Sequence, residues 1–202
     1  MIKKYTGRFI LKLMGFSPNR NNLPAHKLSK QSIIAIGPHT SKWDGLGVIA
    51  LSMSKIVDQK ISIIYKDKKR PGMRNIGWRI TNLVFYGLGG IKIRPDENKN
   101  STEQIKEHLT RKKNHHVLMS IDGHRKKSDH INSGFYHIAK DLNLPIILLS
   151  VCYKKKKHSM KLLDPIPATK KDMIDIMKEF YKDVKGKFPS QESTLIFKNM
   201  ND

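Results

Sequence analysis

Short apolar runs alternate with longer amphipathic stretches along most of the chain. Strands are predicted where apolar residues run together between turn-forming residues, and helices where apolar residues recur every three or four positions. The predicted strands are Ser32–Gly37, Ile61–Tyr65, Gly90–Ile93, His116–Ile121 and Leu144–Tyr153. The predicted helices are Asp44–Val57, Ser101–Lys113, Gly134–Leu142 and Lys170–Lys185, with a less regular helical stretch over residues 71–88. This alternation predicts an α/β fold with a single-domain mixed sheet flanked by helices.

The beginning of the chain predicts an N-terminal amphipathic helix over residues 2–16. Its apolar face consists of Ile2, Tyr5, Phe9, Leu13 and Phe16, widened by Ile10 and Met14, and beside it runs a basic stripe of Lys4, Arg8 and Lys12. These charges interrupt the apolar stretch, which argues against a secretion signal. Such a helix either packs on the domain or lies at a membrane surface, and both can hold at once. A polar linker, Ser17–Asn22, follows it.

Composition narrows the possible classes of protein. A chain of 202 residues suits one domain. A single cysteine, Cys152, excludes an internal disulfide framework and a zinc site built from several cysteines. The longest apolar run, Leu144–Tyr153, is too short to span a bilayer. The formal net charge of +22 predicts a polyanionic partner: nucleic acid, an anionic membrane, or phosphorylated substrates.

The loop after the first predicted strand carries the first candidate for chemistry. His39 lies in this strand-to-helix loop, and Asp44 lies in the next helical turn, with Thr40 and Ser41 available as helix caps. A carboxylate on one imidazole nitrogen fixes the tautomer and leaves the other nitrogen to accept a proton from a hydroxyl. The spacing alone is not specific, because it recurs at His124 and Asp129.

Three later segments add candidates at the ends of other predicted strands. Gly90 opens a strand that delivers Arg94, a residue suited to an anion site. The strand ending at Ile121 is followed by Asp122, Gly123, His124 and Arg125, which offer a carboxylate, close backbone approach and a second arginine. The third segment runs from Ser133 through Gly134–Lys140 to a Pro145-Ile146 strand entry.

Together, and in this order, these segments resemble the glycerolipid acyltransferase family, which acylates glycerol 3-phosphate or lysophosphatidic acid. The family carries His-x-x-x-x-Asp, a glycine-containing strand ending in Arg, Phe-Pro-Glu-Gly-Thr-Arg, and a Pro-Ile strand entry. The matching positions are His39 and Asp44, Gly90 and Arg94, Asp122, Gly123 and Arg125, and Pro145 and Ile146. The third block departs from the family pattern, with Ile121, Asp122 and His124 where the family has Pro, Glu and Thr.

The resemblance spans residues 5–190 and is to a compact, bacterial-type 1-acyl-sn-glycerol-3-phosphate acyltransferase-like subgroup. It implies a glycerolipid acyltransferase-like fold and transfer of an acyl group from acyl-CoA or acyl-carrier protein to a lysophospholipid hydroxyl in phospholipid biosynthesis. His39 and Asp44 would be catalytic. The substrate-binding residues would be Gly90, Arg94, Asp122, Gly123 and Arg125. The resemblance implies neither a cofactor nor a metal.

The same resemblance implies a cytoplasmic protein, peripherally bound to an anionic membrane through its basic N-terminal helix. The implied organisation is a helix and linker over residues 1–22, an acyltransferase domain over 23–190, and a peripheral tail over 191–202. A basic nucleic-acid-binding protein and an acyltransferase for a different lysolipid are the alternatives. The sequence lacks the Gly-x-Ser-x-Gly of a serine hydrolase and the His-Glu-x-x-His of a zinc protease. It does not determine the oligomeric state.

Overall fold

The computed structural model describes residues 2–16, 31–53, 60–66, 90–94, 100–112 and 115–198. The elements are α1 (Ile2–Leu13), β1 (Ser32–Gly37), α2 (Lys42–Met53), β2 (Lys60–Lys66), β3 (Ile91–Ile93), α3 (Ser101–Arg111), β4 (His115–Ser120), α4 (Gly134–Asp141), β5 (Ile146–Cys152), β6 (Lys157–Leu163), α5 (Lys170–Tyr181) and a 3₁₀ helix (Pro189–Gln191). The predicted helical stretch over 71–88, the linker Ser17–Asn22 and the end of the helix predicted over Asp44–Val57 lie outside these ranges.

The described strands form one six-stranded sheet in the order β3-β2-β4-β1-β5-β6. Five of them are parallel, and β6 runs antiparallel to β5. The prediction of an α/β fold with a mixed sheet flanked by helices is therefore confirmed. All six residues of β1 and all seven of β5 are buried, as is usual for central strands covered on both faces.

Alternate residues of the central strands enter two apolar cores, one on each face of the sheet. On one face, Ile33 and Ala35 of β1 pack with apolar residues of α3, α4 and α5. On the other face, Ile34 and Ile36 pack with residues of α1 and α2. This division follows from the two-residue period of a strand, which turns successive side chains to opposite faces.

Helix α1 packs against α2 with only part of the face predicted from its apolar spacing, because Ile10, Met14 and the following Phe16 pack into the core. Gly7 and Leu11 are buried. Tyr5, Phe9 and Leu13 lie on the opposite side of the helix and are 65%, 61% and 71% exposed. Helix α1 is thus apolar on two sides, of which the fold covers one. Among the described residues, no helix is both long and apolar enough to cross a membrane.

Two parts of the structure differ from the sequence-based picture. Strand β6 was not predicted, because its alternating residues His158, Met160 and Leu162 are interleaved with polar ones and follow a lysine run. The segment after the 3₁₀ helix, expected to be a peripheral tail, returns to the domain. Phe197 is 2% exposed and pairs with Ile131 in an isolated bridge.

Candidate active site

The candidate site lies at the carboxyl ends of three adjacent parallel strands. Strand β1 is central, with β4 on one side and β5 on the other. The chain leaving β1 carries His39, the chain leaving β4 carries Asp122, and the chain leaving β5 carries Tyr153. Because parallel strands bring their carboxyl ends to one edge, residues far apart in sequence meet there, as in other open α/β sheets.

The predicted contact between His39 and Asp44 is present. Nδ1 of His39 lies 3.2 Å from Oδ2 of Asp44. The Asp44 side chain is fully buried, whereas that of His39 is 18% exposed. Nε2 of His39 makes no hydrogen bond to any residue that the structure describes. One imidazole nitrogen is therefore oriented by a buried carboxylate, and the other is left for a ligand.

Asp44 also stabilises the start of α2, which explains its place five residues after His39. Ser41 caps the helix, because its Oγ accepts a hydrogen bond from the main-chain N–H of Trp43 at 3.2 Å. In return, Oδ2 of Asp44 accepts the main-chain N–H of Ser41 at 2.9 Å. This arrangement is similar to a capping box, with Asp in the third helical position and the Ser41 hydroxyl on the second main-chain N–H. The helix start thereby fixes the carboxylate that faces His39.

Asp122 holds the His39 loop from the neighbouring strand. Its Oδ2 accepts the main-chain N–H of His39 at 2.8 Å, and the residue is 4% exposed. This hydrogen bond shows that the Asp122 carboxylate organises the loop that carries His39. Two buried carboxylates, Asp44 and Asp122, therefore lie within hydrogen-bond distance of His39, one on its ring and one on its backbone.

The backbone conformation at position 123 explains why this residue is a glycine. Its φ is +67°, in the left-handed region that side chains disfavour. A Cβ here would also overlap the side-chain amide of Asn132, which donates to the carbonyl oxygen of Asp122 at 3.0 Å. The glycine is thus required by the turn itself, independently of any ligand.

Arg125 lies in the same loop, and its side chain is exposed. The amide of Gln191, oriented to satisfy its neighbours, donates to the carbonyl oxygens of Arg125 at 2.7 Å and Thr40 at 3.1 Å. The hydroxyl of Thr40 also accepts the main-chain N–H of Phe188 at 3.2 Å. The segment around the 3₁₀ helix therefore ties the Arg125 loop to the His39 loop.

The second predicted block is farther from His39. Arg94 follows β3, and the amide of Gln104 bonds both its main-chain N–H and its carbonyl, at 2.9 and 2.8 Å. Strand β3 is separated from β1 by β2 and β4, so Arg94 lies roughly 14 Å from β1 across the sheet. Gly90 lies at the amino end of β3, about 13 Å back along an extended chain from Arg94. The structure does not bring these two residues into contact with the dyad.

Sequence reasoning missed two tyrosines, and one of them, Tyr153, contacts the dyad. The hydroxyl of Tyr153 donates to Oδ1 of Asp44 at 2.8 Å. The hydroxyl of Tyr181 contacts the carbonyl oxygens of Ala35 and Leu149 at 3.0 and 3.3 Å. Burial raises the pKa of both phenols, with a further rise from the charge of Asp44 on Tyr153 and of Asp122 on Tyr181. No spacing rule could have joined Tyr153 to a residue 109 positions earlier.

In the part of the chain that the structure describes, no group of three His, Cys, Asp or Glu side chains could hold a metal ion. The chain matches no protein-family model, and no curated protein matches it significantly. A function must therefore be argued from the residues of the site and their geometry.

Proposed function

We propose that this protein transfers a fatty acyl group from an acyl thioester to the hydroxyl of a lysophospholipid. The first candidate acceptor is 1-acyl-sn-glycerol 3-phosphate, and the donor is acyl-CoA or acyl-carrier protein. The observation that supports this proposal is the buried Asp44 carboxylate bonded to Nδ1 of a partly exposed His39. The order of the motifs around it, which resembles the glycerolipid acyltransferases, adds the substrate class.

In the proposed reaction, Nε2 of His39 takes the proton of the acceptor hydroxyl as its oxygen bonds to the thioester carbonyl carbon. The carbonyl electron pair moves onto its oxygen and then returns, and the carbon–sulfur bond breaks. The leaving thiolate takes the proton from the His39 imidazolium, which regenerates the neutral histidine. Asp44 stabilises that imidazolium while it exists and keeps the ring in the required tautomer.

This transfer needs no covalent acyl-enzyme, and Cys152 is not suited to form one. Cys152 is the last residue of β5 and is 4% exposed. Its thiol donates to the carbonyl oxygen of Asp183 across 3.8 Å. A sulfur atom buried in this way is not accessible to a thioester substrate. The proton transfer is therefore assigned to His39, with Asp44 as its partner.

The acceptor's phosphate is assigned to Arg125, because Arg94 lies roughly 14 Å from β1 across the sheet. Arg125 is exposed on the loop whose Asp122 carboxylate holds His39, so a phosphate at its guanidinium would lie beside the dyad. Charge-assisted hydrogen bonds from a guanidinium suit a phosphate better than the point charge of a lysine does. The main chain at Gly123, in the same loop, would complete this binding surface, whereas Gly90 lies too far from the dyad to contribute.

The membrane is the proposed source of the acceptor, and α1 is the proposed contact. Its outer face presents Tyr5, Phe9 and Leu13 to solvent. Arg8 and Lys12 are exposed on the flank of that face. An apolar helical face bordered by basic residues is typical of a helix that lies in a membrane interface. This arrangement uses the side of α1 that the fold leaves uncovered.

The lysine run Lys154–Lys157 adds charge next to the end of α1. All four residues are exposed, and Nζ of Lys156 lies 5.8 Å from the ring centre of Phe16, which follows α1. Each basic residue near an anionic leaflet contributes attraction of about 1 kcal/mol. We expect the protein to sediment with anionic vesicles and to be released by salt. Equal sedimentation with neutral vesicles at high salt would contradict this electrostatic mode.

A panel of lysolipid acceptors with labelled acyl-CoA tests the reaction, read by product mobility and by release of the CoA thiol. We expect His39→Ala to lose nearly all turnover and to keep its thermal midpoint. His137→Ala in α4 is the matched control and should retain activity. A His39→Ala protein that releases thiol at nearly the wild-type rate in the presence of acceptor refutes the assignment.

The same experiments test the two alternative functions, acylation of a different lysolipid and binding of nucleic acid. Activity with another lysolipid only would retain the reaction and change the acceptor. The high positive charge also suits nucleic acid. Salt-resistant retention on nucleic acid, without thiol release from acyl-CoA, would favour a nucleic-acid-binding protein instead.

A further inference from the structure

The two oxygens of the Asp44 carboxylate have separate partners. Oδ2 faces Nδ1 of His39 at 3.2 Å and the main-chain N–H of Ser41 at 2.9 Å. Oδ1 accepts the hydroxyl of Tyr153 at 2.8 Å. A carboxylate held at both ends cannot rotate about its Cβ–Cγ bond without losing a hydrogen bond. The tyrosine and the Ser41 N–H therefore fix the plane of the carboxylate that the histidine meets.

Tyr153 is itself held by parts of the chain that are remote in sequence. Its main-chain N–H donates to the carbonyl oxygen of Lys185 at 2.9 Å. Its ring packs edge-to-face with that of Phe16, with ring centres 5.4 Å apart and an interplanar angle of 82°. Phe16 is buried directly after α1. The hydroxyl is thus presented to Asp44 by a rigid side chain.

The hydroxyl of Tyr153 is a donor throughout the neutral pH range. Burial raises the pKa of Tyr153, and the charge of Asp44 raises it further. A phenol that stays protonated can only donate toward an ionised carboxylate. Because Asp44 is fully buried, that donor also compensates part of the charge that water would otherwise solvate.

We propose that Tyr153 is a positioning residue for the His39–Asp44 dyad. This inference rests on the proposed acyl transfer. In this role Tyr153 acts through Asp44 and not on either substrate. It fixes the plane of the Asp44 carboxylate, so that Oδ2 receives the Nδ1 proton of His39, and it withdraws part of the negative charge from that carboxylate. Both effects act on the histidine through the aspartate.

Tyr153→Phe tests the proposal because it removes the hydroxyl and keeps the ring. Because the lost hydrogen bond is to a charged group, we expect kcat of Tyr153→Phe to fall by about 10- to 100-fold. KM for both substrates should change less than about threefold. Tyr136→Phe is the matched control. Tyr136 is a buried tyrosine of α4 whose hydroxyl donates to the carbonyl oxygens of Pro167 and Ala168, at 3.0 Å each. It should leave kcat unchanged.

The pH dependence separates positioning from a merely structural role. Among the residues that the structure describes, the ionisable groups that face His39 are Asp44 from α2, Asp122 from the loop after β4, and Tyr153 behind Asp44. Without the tyrosine hydroxyl, the negative charge of Asp44 is less compensated and attracts the His39 imidazolium more strongly. The acidic limb of the kcat/KM profile should therefore move to higher pH in Tyr153→Phe. It should not move in Tyr136→Phe.

An NMR titration of the His39 imidazole in the free protein gives the same information without turnover. We expect the midpoint of the His39 titration to be higher in Tyr153→Phe than in wild type. The thermal midpoint of the variant, measured separately, shows whether it is folded. A Tyr153→Phe protein with the wild-type midpoint of the His39 titration and the wild-type kcat would overturn the positioning role. If the wild type transfers no acyl group but the midpoint still shifts, the proposed reaction fails and the coupling of Tyr153 to His39 stands.

Discussion

Replacing Asp44 by Asn removes the charge beside His39 while keeping the size of the side chain. The amide oxygen can still accept from Ser41 and His39, and the amide nitrogen can meet the hydroxyl of Tyr153, which can rotate to accept. The substitution therefore tests the electrostatic part of the dyad. We expect it to slow acyl transfer severely, because the His39 imidazolium loses its counter-charge.

The geometry sets the scale of this effect. Nδ1 of His39 and Oδ2 of Asp44 are 3.2 Å apart. Two unit charges at that distance attract by about 5 kcal/mol at an effective dielectric constant of about 20. If all of that attraction were lost in the transition state, the rate would fall by roughly 10⁴-fold. The charge of a carboxylate is shared by two oxygens, so we expect a fall in kcat between about 10² and 10⁴-fold.

The assay is release of the CoA thiol from acyl-CoA in the presence of the best lysolipid acceptor, with the thermal midpoint measured in parallel. Asp44 also stabilises the start of α2 through the main-chain N–H of Ser41, so a control must separate stability from catalysis. Asp172→Asn supplies it, because Asp172 has the same place in the first turn of α5, where it pairs with the cap Thr169. The control should keep full activity. A folded Asp44→Asn protein with kcat within about threefold of wild type would refute the electrostatic reasoning.

Three further predictions address the loop, the buried histidines and the acceptor. Gly123→Ala should lower the free energy of unfolding by about 1–3 kcal/mol, because its φ is +67°, and an unchanged urea midpoint would contradict this. Burial lowers the pKa of His116 and His158 to about 4, whereas the unfolded chain takes up these protons near pH 6.5. Urea titrations should therefore show stability falling between pH 6.5 and 4, by up to about 1.4 kcal/mol per pH unit for each histidine, and a flat profile would contradict it. Arg125→Ala should raise KM for a phosphorylated acceptor about 10- to 100-fold, with Lys126→Ala as control, and an unchanged KM would reject its phosphate role.

The local pattern of apolar residues was sufficient to predict the strands that form the centre of the sheet. The run Ser32–Gly37 is apolar and ends in Gly-Pro, so its limits were predicted as the structure has them. Strand β6 was missed because it is an edge strand whose lysines protect it from pairing with another chain. The exposure of the outer face of α1 also could not be predicted from the sequence. Spacing identified Tyr5, Phe9 and Leu13 as one side, but only packing showed that α2 covers the other.

The sequence alone determined that His39 would leave a buried strand and that Asp44 would follow in the first helical turn, because both positions depend on neighbours a few residues away. Their meeting depends on more distant residues. The carboxylate of Asp122 and the hydroxyl of Tyr153 reach the same loop only because β4 and β5 flank β1 in the sheet. Strand order is a property of the whole chain, since it results from the burial of both faces of the sheet. Residues such as Tyr153 therefore carried no local signal of their place beside Asp44.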